Sequence, residues 1–473
     1  MNEIPMETKL NLRKLTNVFL LGLGLLLPIQ PSLWAQPMPH HFSDITALPD
    51  KTMALSLGGS VSNMFNLTSA NSNQFMQMFD LYLVEASTNL ADWTRLALLL
   101  QTNNNPTPLL FRDTTAAGFS QRFYRTLTNH LITGFPKPTG PFAVGTFSRI
   151  LTDSSRSNRY GIKTNNSFMS TFWYPAEQPR AGSLPGAYSE TTVAGDRNFY
   201  NFWGWSLQWT SVVPQFVVYS IPAQPLASGT NRLPIILHSH GYTCDRRLNS
   251  QTAEELASHG YVVVAVDHED CHATVFPDAR GTRYVPPGTV GYGSALVRSR
   301  TNDVQYLLGE LGQINTSDPL LAGRLDLDRI GMMGMSFGGG TAAETSRLDS
   351  RVKCVALLDG YIDFANYSAL NSQGVQKPFL AMSRTILNDG MFDCSPASQR
   401  LYTLATQDAT WLYITNTRHF AFTDLGWTVD MTSYSRQGAV AIDACLRWFF
   451  DTYLKGETSP FPTNPEISNV QRK

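Results

Sequence analysis

Long apolar runs are missing from this chain of 473 residues: the strongest, around Val18–Leu27, falls well short of the ~20 residues that a membrane-spanning helix needs. Charge is sparse too, at 15% of residues with a formal net charge of -1, and no block of lysine or arginine occurs. Nucleic acid and strongly anionic surfaces are therefore excluded as main partners. Cysteine is scarce, and Cys244, Cys271, Cys354, Cys394 and Cys445 allow at most two disulfides with one thiol left over. Cys244 and Cys271 each follow an expected strand end, where a bridge is sterically reasonable; the alternative is that all five are reduced and buried. Histidine is scarcest where it matters: of nine, only His419 lies C-terminal to Ser336.

What is present reads as an exported protein in two parts. Lys9, Arg13 and Lys14 precede the apolar run, and Pro28, Pro31 and Ala35 follow it. That order predicts a signal peptide over residues 1–35 and a secreted or periplasmic location. Residues 36–133 are rich in Asn, Thr and Ser with period-two runs such as Phe79 to Ala86, and predict a small all-β module with no reactive constellation. A Pro/Gly-rich connector, Gly134 to Pro141, marks the boundary to a larger part over 134–473.

In the larger part, short runs apolar on both phases (Leu233 to Ser239, Tyr261 to Asp267, Arg329 to Met335, Val352 to Leu358, Pro378 to Arg384, Thr410 to Asn416) alternate with helix-like segments. Those segments are Gln251 to Ser258, Asn302 to Gly312, Gly338 to Arg347 and Ser435 to Lys455. The alternation predicts the α/β class, a mainly parallel sheet with helices on both faces. Within it, Gly334-Met335-Ser336-Phe337-Gly338 follows one strand and opens one helix. This is the pattern of a nucleophile elbow, in which Gly334 and Gly338 leave room for a sharp turn that presents the Ser336 hydroxyl.

An activated serine needs a base and a group that orients the base, in chain order Ser, acid, His. His419 is the base by elimination. Asp359 directly follows the strand after the elbow, whereas Asp389 and Asp393 follow the next strand by several residues, so spacing leaves the acid open. Oxyanion donors are expected from the backbone N–H of Phe337 and of Tyr242 in the turn His240-Gly241-Tyr242. His268-Glu269-Asp270-Cys271-His272 also fits H-E-x-x-H, the zinc-protease pattern. It leaves a β-rich run directly, so a loop is expected there and no metal site; His238 and His240 read as supports of the oxyanion turn.

Ser239-His240-Gly241, Leu256 to Tyr261 leading to Val266 to Asp270, and Gly334 to Gly339 leading to Leu358-Asp359-Gly360 resemble the plasma-type platelet-activating-factor acetylhydrolases, also called lipoprotein-associated phospholipase A2, and their bacterial relatives. The resemblance extends from about Gly140 to Phe422. It implies an α/β-hydrolase fold, the triad Ser336, Asp359 and His419, no cofactor or calcium, and a carboxylic-ester substrate, a short-acyl or oxidised phospholipid met at a transient lipid-surface contact. Secreted polyester hydrolases share the Ala-Ser-His-Gly and elbow phrases but place the acid later, at Asp389 or Asp393, and are the alternative along with a general esterase. A catalytically dead scaffold that binds at a surface is the reading from another class. Phrases in the N-terminal part, Glu85 to Trp93 and Gln121 to Arg125 among them, resemble fibronectin-III-like accessory modules. The aromatic-dense stretch Asn198 to Trp209 matches neither hydrolase family and reads either as an acyl-pocket or lipid contact or as a buried patch.

Overall fold

A computed structural model describes residues 41–58, 77–90, 94–102, 109–133, 135–156, 166–179, 186–187, 217–229, 232–278, 282–285, 293–362, 368–428 and 433–473. The expected signal peptide and the stretch Asn198 to Trp209 lie outside these residues. The described chain forms two compact units, divided near Thr133.

The first unit is built from β-strands. His41–Ala47, Met53–Gly58 and Leu109–Asp113 make one three-stranded sheet, and Gln77–Ser87, Thr94–Thr102 and Phe123–Thr133 make another. Met53–Gly58 pairs antiparallel with both neighbours, as Gln77–Ser87 does with Thr94–Thr102. Leu55, Leu57, Val84 and Tyr124 form its small apolar core, which the period-two alternation of these runs places on one face.

The second unit carries a ten-stranded sheet. Its strands, in chain order, are β1 (Ala143–Asp153), β2 (Asn166–Ala176), β3 (Ile221–Pro222), β4 (Leu233–Ser239), β5 (Val262–Val266), β6 (Leu325–Met335), β7 (Val352–Leu358), β8 (Phe379–Arg384), β9 (Ala409–Ile414) and β10 (Ile467–Arg472). The spatial order is β3-β1-β2-β5-β4-β6-β7-β8-β9-β10. From β5 to β9 every pairing is parallel. The helices are α1 (Ser250–Ser258), α2 (Ser294–Ser317), α3 (Phe337–Leu348), α4 (Ser368–Gln373), α5 (Ser395–Leu404), α6 (Leu425–Thr428) and α7 (Ser433–Phe450).

The expected α/β architecture is borne out. The central strands are apolar on both phases because each sheet face is covered: Ile235, Leu237, Met332 and Leu357 join one core cluster, and Ile236, Met333, Ala356 and Leu358 the other. Strands β1, β2 and β10 were not expected. They pair antiparallel at the flanks of the sheet; β2 is buried from Phe168 to Ala176, whereas β1 exposes Ser148 and Thr152 and β10 is exposed from Asn469 to Arg472.

Parallel pairing has one consequence for function. In the register Ser239 opposite Gly334, Met335 opposite Leu358, Leu358 opposite Met382 and Arg384 opposite Ile414, the strands all end at one edge. Residues just past those ends converge there.

Candidate active site

Ser336 stands between the last residue of β6 and the first of α3, with φ 53° and ψ -123°. This left-handed conformation is unfavourable for a residue with a side chain. It is held by hydrogen bonds on both sides: the Ser336 N–H donates to Leu358 O at 3.0 Å, and the Ser336 carbonyl accepts from Gly339 and Tyr361, each at 2.8 Å. A Cβ on Gly334 would fall 2.1 Å from the Gly338 carbonyl oxygen, and one on Gly338 would fall 2.0 Å from that of Ser239. No side chain fits at either place, so the turn requires both glycines.

His419 opens a single-turn helix, His419–Phe422, after β9. Its Nε2 lies 2.8 Å from the Ser336 Oγ, and its Nδ1 lies 2.6 Å from the Asp359 Oδ2. Asp359 follows β7 at φ 43°, with its N–H donating to Met382 O at 2.8 Å. Both Asp359 and His419 are buried. With Nδ1–H donated to the carboxylate, Nε2 is left as the acceptor for the serine hydroxyl, the tautomer that proton abstraction from Ser336 needs. Burial alone would push the Asp359 carboxyl up, but the hydrogen bond and charge of His419 and of Arg384 outweigh it and hold it below the usual carboxylate range.

The two other candidate acids sit elsewhere. Asp389 Oδ2 accepts the main-chain N–H of His419 at 2.8 Å rather than the ring. Asp393 lies just before α5, accepting from the N–H and Oγ of Ser395 at 2.9 and 2.7 Å.

Gly241, Tyr242, Ser336, Phe337 and His419 line one cleft with a volume of about 90 Å³. The Tyr242 and Phe337 rings meet edge to face, centroids 6.3 Å apart. Behind the turn lies a buried polar cluster. The Arg300 guanidinium donates to both Asp270 oxygens and to the carbonyls of His240 and Gly241 (2.6 and 3.1 Å), and its charge faces the Phe337 ring at 4.9 Å. Burial alone would raise Asp270, but the charge and hydrogen bonds of Arg300, with His240 and His268, together outweigh it and hold the carboxyl well below the usual range. His240 accepts the His268 N–H at Nε2 (3.0 Å), so it supports the turn as expected. His238 does not: its buried Nε2 has no hydrogen-bond partner among the described residues.

The H-E-x-x-H stretch lies between β5 and a short strand, Ala273–Val275, in no helix. Both ring nitrogens of His268 are engaged, with Ser239 Oγ at 2.9 Å and Asp303 Oδ2 at 2.9 Å, while His272 Nδ1 faces the Thr243 carbonyl at 3.0 Å. Among the described residues, two clusters could present three donor atoms to a cation, His240/Asp267/Cys271 and Asp359/Cys394/His419. In each the carboxylate already takes an arginine, Arg246 on Asp267 and Arg384 on Asp359.

All five cysteines are free and buried. The bridge considered between Cys244 and Cys271 is absent because the Cys244 thiol lines the cleft while the Cys271 Sγ donates to the Ala273 carbonyl at 3.2 Å. Burial pushes the cleft thiols of Cys244 and Cys394 well up, so neither is a thiolate at neutral pH. Of the cleft nucleophiles, Ser336 is the one with a base in reach.

Sequence reasoning missed Arg384. It ends β8, is 1% exposed, and its Nη1 lies 2.5 Å from the same Asp359 oxygen that His419 uses. A charged residue closing a strand that is otherwise apolar on both phases, Phe379-Leu380-Ala381-Met382, was the available signal.

Comparison with known proteins agrees with this architecture. The family model described as platelet-activating factor acetylhydrolase, isoform II, matches residues 128–281, a span that contains the His240-Gly241-Tyr242 turn and ends before the elbow. The chain is 29% identical over 267 residues to the platelet-activating factor acetylhydrolase of Cavia porcellus, covering 49% of this chain and 58% of that protein. It is 26% identical over 316 residues to a probable 1-alkyl-2-acetylglycerophosphocholine esterase of Arthroderma benhamiae, covering 62% and 77%. The chain thus spans little more than half the length of the guinea-pig relative. Among solved structures, a ferulic acid esterase from Streptomyces cinnamoneus shares the fold, with a TM-score of 0.56 and 24% identity over 70% of this chain and 97% of that one. Over the matched segment and along these relatives, the chain is similar to platelet-activating factor acetylhydrolases.

Proposed function

We propose that this protein is an exported serine esterase that removes short acyl groups from lipid or small-molecule esters through an acyl-enzyme on Ser336. His419 takes the hydroxyl proton at Nε2 as Ser336 Oγ attacks the ester carbonyl, and returns it to the leaving alkoxide. Asp359 holds the ring and stabilises the imidazolium formed meanwhile. Water then repeats the sequence with His419 as base, freeing the acid and Ser336. The N–H groups of Phe337 and Tyr242 receive the oxyanion, each worth a factor of about 10² to 10³ in rate.

The observation that carries this reading is the unbroken line Ser336 Oγ, His419 Nε2 (2.8 Å), His419 Nδ1, Asp359 Oδ2 (2.6 Å), drawn from three separate strand ends. The small cleft favours a short acyl chain. Its rim carries Phe392, 63% exposed, and the nearby Leu387 is 48% exposed; large apolar groups left in water beside a cleft suit a substrate presented at a lipid surface. The β-strand unit before Thr133 is an accessory module in this reading, and residues 1–35 a leader for export.

The test is hydrolysis, in excess chelator, of a p-nitrophenyl ester series and of a phospholipid with a short sn-2 acyl group, with Ser336→Ala alongside. Serine-dependent, chelator-resistant cleavage of the phospholipid is expected. Cleavage of simple esters alone would leave a general esterase, and activity lost to chelator would refute the metal-free mechanism.

A further inference from the structure

One buried guanidinium joins the triad to the wall of the cleft. Arg384 donates through Nη1 to Asp359 Oδ2, through Nε to the Ile386 carbonyl at 3.1 Å, and through Nη2 to the carbonyls of Met391 and Phe392, both at 2.9 Å. Asp389 on the same loop lies 3.2 to 3.3 Å from Nε and Nη2 and takes the His419 main-chain N–H. Met391 and Phe392 line the cleft, and the Phe392 ring packs on Tyr361 with centroids 5.3 Å apart. Arg384 Nη1 also lies 3.3 Å from His419 Nδ1. That nitrogen is already donating to Asp359, so the guanidinium and the imidazole N–H share one carboxylate oxygen and the guanidinium charge sits against the ring.

We propose that Arg384 is a positioning residue, orienting the Asp359 carboxylate toward His419 while it clamps the 386–392 loop, so that one side chain sets both triad alignment and the acyl length the cleft accepts. This rests on the esterase reading above. The geometry favours arginine specifically: a planar fork reaches a carboxylate and three carbonyls at once, and a lysine ammonium cannot. The charge has a second effect. Facing Asp359 from β8, with Asp389 and Cys394 as the other titratable groups nearby, the guanidinium opposes protonation of the Asp359 carboxylate.

The experiment compares wild type, Arg384→Lys and Arg384→Gln by kcat/KM across an acyl series and across pH, with Ser336→Ala as the blank and thermal melting to check folding. For Arg384→Lys, a loss of about tenfold to a hundredfold is expected on the best ester, the scale of a misplacement near 1 Å, together with a flatter acyl-length preference. For Arg384→Gln, removal of the positive charge leaves the Asp359 carboxylate easier to protonate, so the acidic limb of the profile should move up. Folded variants with wild-type acyl preference and an unmoved acidic limb would overturn the proposal even if their rates fell, because a merely structural residue would give that result. If neither variant folds, Asp389→Asn decides: it keeps the guanidinium and every carbonyl, and should flatten the acyl preference. An unchanged preference there overturns the proposal. Wild type no more active than Ser336→Ala would instead reject the esterase reading itself.

Discussion

Asp389 accepts the main-chain N–H of His419 at 2.8 Å while the ring of the same histidine turns away to Asp359 at 2.6 Å. Two of the three aspartates that spacing could not separate therefore have different tasks, one holding the loop and the other the imidazole. Asp359→Asn can offer an N–H where His419 needs an acceptor, which disfavours the working tautomer. It should lower kcat by roughly 10³ to 10⁴. Asp389→Asn keeps an acceptor for the main-chain N–H and should cost no more than about tenfold on a short ester, in line with loss of a supporting contact. Steady-state kinetics of the two variants checks the assignment, and equal losses would refute it.

The line from Ser336 to His419 to Asp359 acts as one unit, so its losses should not add. Ser336→Ala and His419→Ala should each lower kcat by about 10³ or more, and the double variant should be no slower than the worse single one. An active-site serine probe of the fluorophosphonate type should label wild type and leave Ser336→Ala unlabelled.

Much of this site could be read from residue order, for a physical reason. The elbow requires glycine at two places where a Cβ would lie about 2 Å from a carbonyl oxygen, and the chain has one histidine after it. Central parallel strands announce themselves because both faces are covered, and their ends then mark the site. Asp359 was legible as one of two positions only, because a strand end says where a side chain starts and not what it meets. Arg384, Arg300 and Asp270 were illegible as a set. Their roles depend on contacts across long stretches of chain, such as Arg300 with Asp270 and the Gly241 carbonyl, that no local pattern records. The flanking strands β1 and β10 were missed because their exposed residues are polar and resemble loop composition, and β2, though buried, because Ser170 and Thr171 interrupt its apolar run.

Gly241 is where close approach and catalysis meet. A Cβ there would lie 2.9 Å from Met335 Sδ, 3.2 Å from Cys244 Sγ and 3.5 Å from Ser336 Cβ. The two sulfurs belong to side chains that can give way, so Gly241→Ala should fold with a small change in melting temperature. The turn carrying the Tyr242 N–H would shift, and kcat should fall by about tenfold to a hundredfold, approaching the loss of one oxyanion donor. A large drop in melting temperature with unchanged kcat in the folded fraction would refute the view that this turn is tuned for the oxyanion.

Helix α1 supplies a prediction about stability rather than rate. Glu254 is buried against the Ser220 and Tyr219 N–H groups (2.6 and 3.0 Å), and Asp443 is buried against Gln251 Nε2 and Thr252 Oγ1 (2.8 and 2.9 Å). Burial pushes each carboxyl up to about 7, hydrogen bonding only partly offsetting it. In the unfolded chain such groups titrate near ~4. Between those values the folded protein holds protons that the unfolded chain has released, so stability falls as pH rises, by up to about 1.4 kcal/mol per pH unit for each group. Asp359 and Asp270, held low, work in the opposite sense and lose their contribution only as pH drops below the ordinary carboxylate range. The buried histidines His238, His240 and His268, which burial keeps neutral, also work in the opposite sense below the ordinary histidine range. The carboxyl effect is therefore read from the difference between wild type and Asp443→Asn rather than from the wild-type slope. Asp443→Asn, which cannot ionise and keeps one acceptor for the Gln251 or Thr252 donor, should gain on wild type at pH 8 and show a shallower decline. Thermal melts of both proteins from pH 5 to pH 8 decide it, and an identical slope in the two would show that Asp443 is ionised in the fold throughout that range.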